Sequence, residues 1–141
     1  MKIFLDTSSL VKLYHEEEGT SELLATLSKG VDEMWLSELA ILEFRSALWK
    51  KVRTRELQET DAMGVVKCFS SDQNKFHWVT IGPSIVHQAA DSFMKYGVNG
   101  LRTLDSIQLA TALHLKSPDL VCLTSDTLLR SFFLEENLNT I

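Results

Sequence analysis

Lys2-Ile3-Phe4-Leu5-Asp6-Thr7-Ser8-Ser9 decides the reading of this chain: an apolar run closed by an acid and followed at once by three small hydroxyl residues. The run is that of a short buried strand, Lys2 to Leu5. A helix through Leu10-Val11-Lys12-Leu13-Tyr14 follows, for which Thr7, Ser8 or Ser9 supplies the N-cap. Asp6 therefore falls at the strand-to-helix junction. A carboxylate left there is expensive unless something cationic holds it. Three more acids stand in similar apolar or small-residue frames: Glu43 in Leu39-Ala40-Ile41-Leu42-Glu43-Phe44, Asp105 in Leu104-Asp105-Ser106-Ile107-Gln108-Leu109, and Asp126 in Leu123-Thr124-Ser125-Asp126.

A second helix is expected from Thr20 to about Lys29, between Gly19 and Gly30. Met34-Trp35-Leu36 reads as a strand, after which Ser37 caps a long helix to about Val52. On that helix the three- and four-residue neighbours of Glu43 are Leu39, Ala40, Ser46 and Ala47, so Glu43 faces inward. A helix from Glu59 to Phe69, a strand from Phe76 to Ile81 ended by Gly82-Pro83, a helix from Ser84 to Tyr96 and a loop over Gly97–Gly100 come next. Thr103 caps a helix that carries Asp105 in its first turn, where the helix dipole favours negative charge. Its continuation to Leu113 is apolar on nearly every face, as a helix packed deep against a sheet should be. Leu120 to Leu123 is a buried strand ending at Thr124-Ser125-Asp126, much as the first strand ends at Asp6. A last helix from Leu128 to about Glu136 leads into the tail Asn139-Thr140-Ile141.

Strands alternating with helices imply an α/β fold with a mainly parallel sheet. In such sheets sites form beyond the carboxyl ends of the strands, near the point where strand order reverses. The four acids are expected to converge there.

At 141 residues the chain is expected to form one domain over 1–141, with a core large enough to need no staples. An apolar share of 45% and a charged share of 23% exclude disorder. Cys68 and Cys122 sit in apolar settings without metal-type spacing, which reads as two reduced, buried thiols and a cytoplasmic protein. No hydrophobic leader precedes Asp6 and no apolar run approaches a membrane span, so no membrane association is expected. The net charge of −5 argues against nucleic-acid binding by bulk electrostatics. Committing four carboxylates to cations would leave the rest near neutral. Lys50-Lys51-Val52-Arg53-Thr54-Arg55 is a local basic cluster that suits either a ligand or a solvated helix end.

Four carboxylates without histidine or thiolate partners select Mg²⁺ or Mn²⁺ over zinc or copper. Such ions suit hydrolysis of a phosphate ester. There is no Gly-rich phosphate loop, and Ser8-Ser9 lacks the flanking glycines of a hydrolase elbow. His15, His77, His87 and His114 are scattered and read as core-edge or surface residues, and Glu16-Glu17-Glu18 as a solvated run. Trp35, Trp49 and Trp78 read as core or dimer contacts, not base-stacking platforms.

Phe4-Leu5-Asp6-Thr7-Ser8-Ser9-Leu10, Leu42-Glu43-Phe44, Leu101-Arg102-Thr103-Leu104-Asp105-Ser106-Ile107-Gln108-Leu109-Ala110 and Thr124-Ser125-Asp126, in that order, resemble the successive motifs of the PIN-domain ribonucleases. Size and motif wording are most similar to the VapC toxins of toxin-antitoxin pairs. The resemblance covers essentially the whole chain. It implies a three-layer α/β/α sandwich with a five-stranded parallel sheet, metal-dependent endonucleolytic cleavage of RNA, a homodimer, and inhibition by a small cognate antitoxin protein. Carried over by position, Asp6, Glu43 and Asp105 match the three acids most characteristic of the family, and Asp126 a fourth, more variable one. Thr7, and Thr124 or Ser125, match hydroxyl positions that support the metal site. Arg102 falls where many relatives carry a basic residue, able to neutralise the acids or touch phosphate.

Two other functions compete. A phosphatase or phosphotransferase would use Asp6 as nucleophile, although Ser8 stands where such enzymes carry a second acid. A catalytically silent binding module would keep the scaffold alone, and the intact acid set weighs against it.

Overall fold

The computed structural model describes residues 1–141. Five parallel strands form one sheet in the order β3-β2-β1-β4-β5. They are β1 (Lys2–Leu5), β2 (Glu33–Ser37), β3 (His77–Val79), β4 (Leu120–Leu123) and β5 (Asn139–Thr140). Between them run α1 (Thr7–Val11), α2 (Thr20–Leu27), α3 (Ala40–Arg53), α4 (Glu59–Ser71), α5 (Pro83–Tyr96), α6 (Thr103–His114) and α7 (Thr127–Glu135).

Side chains of β1 point alternately to the two faces of the sheet, and this sorts the helices into layers. Ile3 and Leu5 pack with Leu10, Leu23, Phe44, Leu48 and Phe69 from α1 to α4. Phe4 points the other way, among Leu109 and Ala112 of α6 and Leu129, Phe132 and Phe133 of α7. α5 closes that second layer through Ile85 and Ala89, which meet Ala110 of α6 and Val79 of β3. The expected α/β/α sandwich is therefore the observed one. The chain builds outward from β1 to β3 on one side, then returns to β4 and β5 on the other. Strand order thus reverses between β1 and β4, and a crevice opens there beyond their carboxyl ends.

Several local expectations shift. α1 begins at Thr7, not near Leu10, because Asp6 itself is its N-cap, accepting from the Ser9 amide at 3.0 Å. Ser37 does not cap α3 directly; its hydroxyl accepts from the Leu39 amide one residue before the helix begins at Ala40. Thr103 is the first helical residue of α6 and not its cap, which is Arg102. β3 stops at Val79 instead of Ile81, since its partner β2 ends at Ser37, opposite Val79. Asn139–Thr140, in the stretch read only as a tail, supplies the fifth strand by pairing with Val121 and Cys122. Cys122 is buried, and burial pushes its thiol up to about 12, but Cys68 is exposed, contrary to expectation. It lies on the outer side of α4, whose inward residues are Ala62 and Phe69. No helix is long and apolar enough to cross a membrane.

Candidate active site

Asp6 leaves β1 buried, with 4% of its surface exposed. Both carboxylate oxygens are occupied. Oδ1 accepts from the Ser8 hydroxyl at 2.7 Å and the Ser9 amide at 3.0 Å, while Oδ2 accepts from Ser8 at 2.9 Å and the Thr124 hydroxyl at 2.6 Å. These donors offset part of the desolvation, yet burial dominates and pushes the Asp6 carboxyl up to about 6. Nearby Glu43 adds to the upward push.

Glu43 projects from the first turn of α3, half-buried beside the β1–α1 junction. Its Oε1 accepts from the Thr7 hydroxyl at 3.0 Å and from Gln108 Nε2 at 2.7 Å. Gln108 Nε2 also reaches the Thr7 hydroxyl, at 3.3 Å, so Thr7, Glu43 and Gln108 form a closed triangle joining α1, α3 and α6. The Glu43 carboxyl is raised above its ordinary value by burial first, against the lowering effect of Gln108 and Thr7; Asp105 raises it further.

Asp105 and Asp126 are joined by Arg102. The guanidinium Nε donates to Asp105 Oδ2 and Nη2 to Asp126 Oδ2, both at 2.7 Å. Arg102 is 64% exposed while Asp105 and Asp126 are 15% and 28% exposed at the side chain, so the cation lies over the acids from the solvent side. Asp126 also caps α7, accepting from the Leu129 amide at 2.9 Å, and its own amide donates to the Thr124 hydroxyl. Thr124 thereby links β4 to Asp6, and Ser8 completes the bridge by accepting from the Ser125 amide at 2.9 Å.

The acids are linked pairwise beyond the carboxyl ends of β1 and β4: Asp6 and Glu43 lie near enough to repel, as do Glu43 and Asp105, while Arg102 joins Asp105 to Asp126 and Thr124 joins β4 to Asp6. Their donor chemistry is entirely hard oxygen, which suits Mg²⁺ or Mn²⁺. As folded, no three His, Cys, Asp or Glu side chains are gathered so as to hold a metal ion, and Arg102 supplies the positive charge over Asp105 and Asp126. A cleft of about 840 Å³ opens beside Thr7, Ser8, Glu43, Ser125 and Asp126 and runs along α3.

Two members of this network, Gln108 and Ser8, have no part in the acid site as read from the sequence. Gln108 lies one turn after Asp105 and is the one amide side chain on α6, buried within a largely apolar stretch, a signal that could have flagged it. Ser8 gave no such signal, because a hydroxyl after a strand is commonplace. His77, His87 and His114 are exposed and His15 is half-buried, in keeping with core-edge or surface positions. Trp35 and Trp78 pack against the core, but Trp49 is 37% exposed.

This chain belongs to the PIN domain family, whose model matches residues 3–132. Among curated relatives, ribonuclease VapC45 and ribonuclease VapC49, from two strains of Mycobacterium tuberculosis, are each 32% identical over 123 residues, covering 84% of this chain and 80% of theirs. Among solved structures, FitAcB from Neisseria gonorrhoeae superposes with a TM-score of 0.71 at 15% identity, covering 99% of this chain and 96% of that one. The sarcin-ricin loop cleaving toxin VapC20 of M. tuberculosis gives 0.70 at 13% identity, over 92% and 93%. A toxin-antitoxin complex from Klebsiella pneumoniae gives 0.63 at 20% identity, over 89% and 87%.

Proposed function

We propose that this protein is a divalent-metal-dependent endoribonuclease, a single PIN domain acting as the toxin of a toxin-antitoxin pair. The observation that carries the reading is Asp6: a buried carboxylate, hydrogen-bonded on both oxygens, at the strand-order reversal and beside three further acids. Asp6, Glu43, Asp105 and Asp126 would hold Mg²⁺ or Mn²⁺. A bound ion of this kind lowers the pKa of water and stabilises the charge that develops on a phosphodiester.

The chain's own residues prepare that site. Ser8, Ser9 and Thr124 fix the Asp6 carboxylate in one orientation. Thr7 and Gln108 hold Glu43 by one oxygen, Oε1. Arg102 balances Asp105 and Asp126 in the folded protein and must release them for a cation to be held between them. The names of the curated relatives support RNA as substrate, and the solved toxin-antitoxin complex of similar fold supports a small protein antitoxin as partner. Met94 and Val98, 92% and 96% exposed at the end of α5 and just after it, favour a homodimer, which light scattering would detect. Action in the cytoplasm follows from an RNA target.

Against a phosphatase using Asp6 as nucleophile, Ser8 stands where such enzymes carry a second acid. The test is digestion of total cellular RNA with Mg²⁺, Mn²⁺ or EDTA, beside the Asp6→Asn variant, with cleavage ends mapped. Cut ends that need the metal and vanish in the variant are the expected result. Undiminished cleavage by Asp6→Asn overturns the assignment, and a trapped phospho-Asp6 would replace it with the phosphotransferase reading.

A further inference from the structure

The cleft beside the acids is not closed at Glu43. It continues along α3 past Ser46 and Ala47 to Lys50, Lys51 and Arg53. Glu43, Ala47 and Lys50 stand at positions i, i+4 and i+7, so they share one helix face; Ser46 and Arg53 border the same stripe. At 1.5 Å rise per residue, Lys50 lies about 10 Å and Arg53 about 15 Å from Glu43 along the helix axis. The small side chains of Ser46 and Ala47 leave the floor between acid and cations low.

The cations here are of two kinds. Lys12 and Lys51 converge on Glu17, at 3.0 and 2.6 Å, and Lys51 also meets Glu56 at 3.5 Å. These lysines are half-buried and neutralised, and they tie the α1–α2 connection to α3. Lys50 and Arg53 are exposed and form no ion pair. Within a chain of net charge −5, they are uncompensated positive charges on the wall of the cleft that leads to the acids. At the other end Leu42 and Leu104, 68% and 48% exposed, offer apolar surface beside Glu43 and Asp126.

We propose that this stripe of α3 is the track for single-stranded RNA: Lys50 and Arg53 grip backbone phosphates to one side of the scissile bond, and Leu42 and Leu104 receive bases next to it. The inference rests on the ribonuclease reading and adds the direction in which the strand leaves the acids. A protein surrounded by its own negative charge needs such a local path, because its general field repels a polyanion. Charge, apolar surface and acids fall along one line, as phosphate, base and reacting bond do in a single strand.

The test uses Lys50→Ala/Arg53→Ala in the Asp6→Asn background, with Lys67→Ala, an exposed cation on α4, as control. Binding of a fluorescein-labelled 16-nucleotide oligouridylate is measured by anisotropy from 50 to 200 mM KCl, with circular dichroism confirming the fold. Each lost phosphate contact lowers the slope of log affinity against log salt by about 0.7 for a single strand, so the double variant should lose about 1.4. Lys67→Ala should keep the parent slope. A double variant with the parent's slope, or a control with an equal loss, overturns the track and would return the stripe to a protein partner. Cleavage of cellular RNA by the unaltered protein is followed in parallel. If cleavage persists while the slope is unchanged, only the track fails; if there is neither cleavage nor binding, both readings fail.

Discussion

Replacing Asp6 by Asn should stabilise the metal-free protein at neutral pH while abolishing its activity, and the size of the effect can be worked from the site. The Asp6 carboxyl titrates near 6 in the folded chain against an ordinary value of 3.8. The folded state therefore binds the Asp6 proton more tightly than the unfolded state does. Stability is fully present below about pH 4 and is lost as pH rises toward 6 and beyond. A shift of about two units corresponds to about 3 kcal/mol. Asn keeps one oxygen for the Ser9 amide and carries no charge to desolvate. Its amide would face the Ser8 and Thr124 hydroxyls, which can rotate to accept. Urea unfolding of both proteins in EDTA, at half-unit steps from pH 4 to 8, reads the effect, because titrating groups that do not interact with Asp6 cancel in the difference and Glu43, which does, reports the same repulsion. The value at pH 4 records any packing penalty of Asn. Relative to it, the variant should gain about 2 kcal/mol by pH 7, less than the full shift because the unfolded carboxyl is already more than half ionised at pH 4, and remain level above. A difference that stays flat with pH would refute the claim that burial of Asp6 is a cost waiting for a cation. Millimolar Mg²⁺ at pH 7 should then stabilise the wild type and not the variant.

Arg102→Ala removes the cation over Asp105 and Asp126; exposed pairs of this kind are worth about 1 kcal/mol or less, so calorimetry should find Mg²⁺ binding tightened by up to about fivefold. Weakened binding would show instead that the guanidinium assists the ion. Gln108→Leu takes one donor from Glu43 and should raise the apparent pKa of the acidic limb in a pH–rate profile, with a stability loss of about 1–3 kcal/mol in urea; an unshifted profile would detach Gln108 from the site. Phe44→Ala empties the fully buried space between Tyr14 and Phe69, and should cost about 3–5 kcal/mol in the same unfolding assay. A loss below 1 kcal/mol would mean that the α3 face does not anchor this layer.

What the sequence made legible and what it hid divide along a physical line. Asp6, Glu43, Asp105 and Asp126 stood out because each is a charge in a frame that would bury it, and that cost is visible within a few residues of chain. Strand and helix order followed from apolar runs and their punctuation in the same way. Gln108 did not stand out as a partner, because the carboxylate it holds lies 65 residues earlier and only the packing of α6 across α1 and α3 brings the two together. Ser8 is similar: its hydroxyl matters through the Ser125 amide, 117 residues away. β5 lacks any local signature, since Asn139 and Thr140 are polar and become a strand only because β4 presents an open edge at Val121 and Cys122. The capping of α1 shows the overlap of the two kinds of information. Asp6 caps α1 through Oδ1 while Oδ2 accepts from Thr124 on β4. One carboxylate thus pins the start of a helix and the seam between two strands. That seam is where strand order reverses, so holding the acid rigid and holding the crevice in shape are the same interaction.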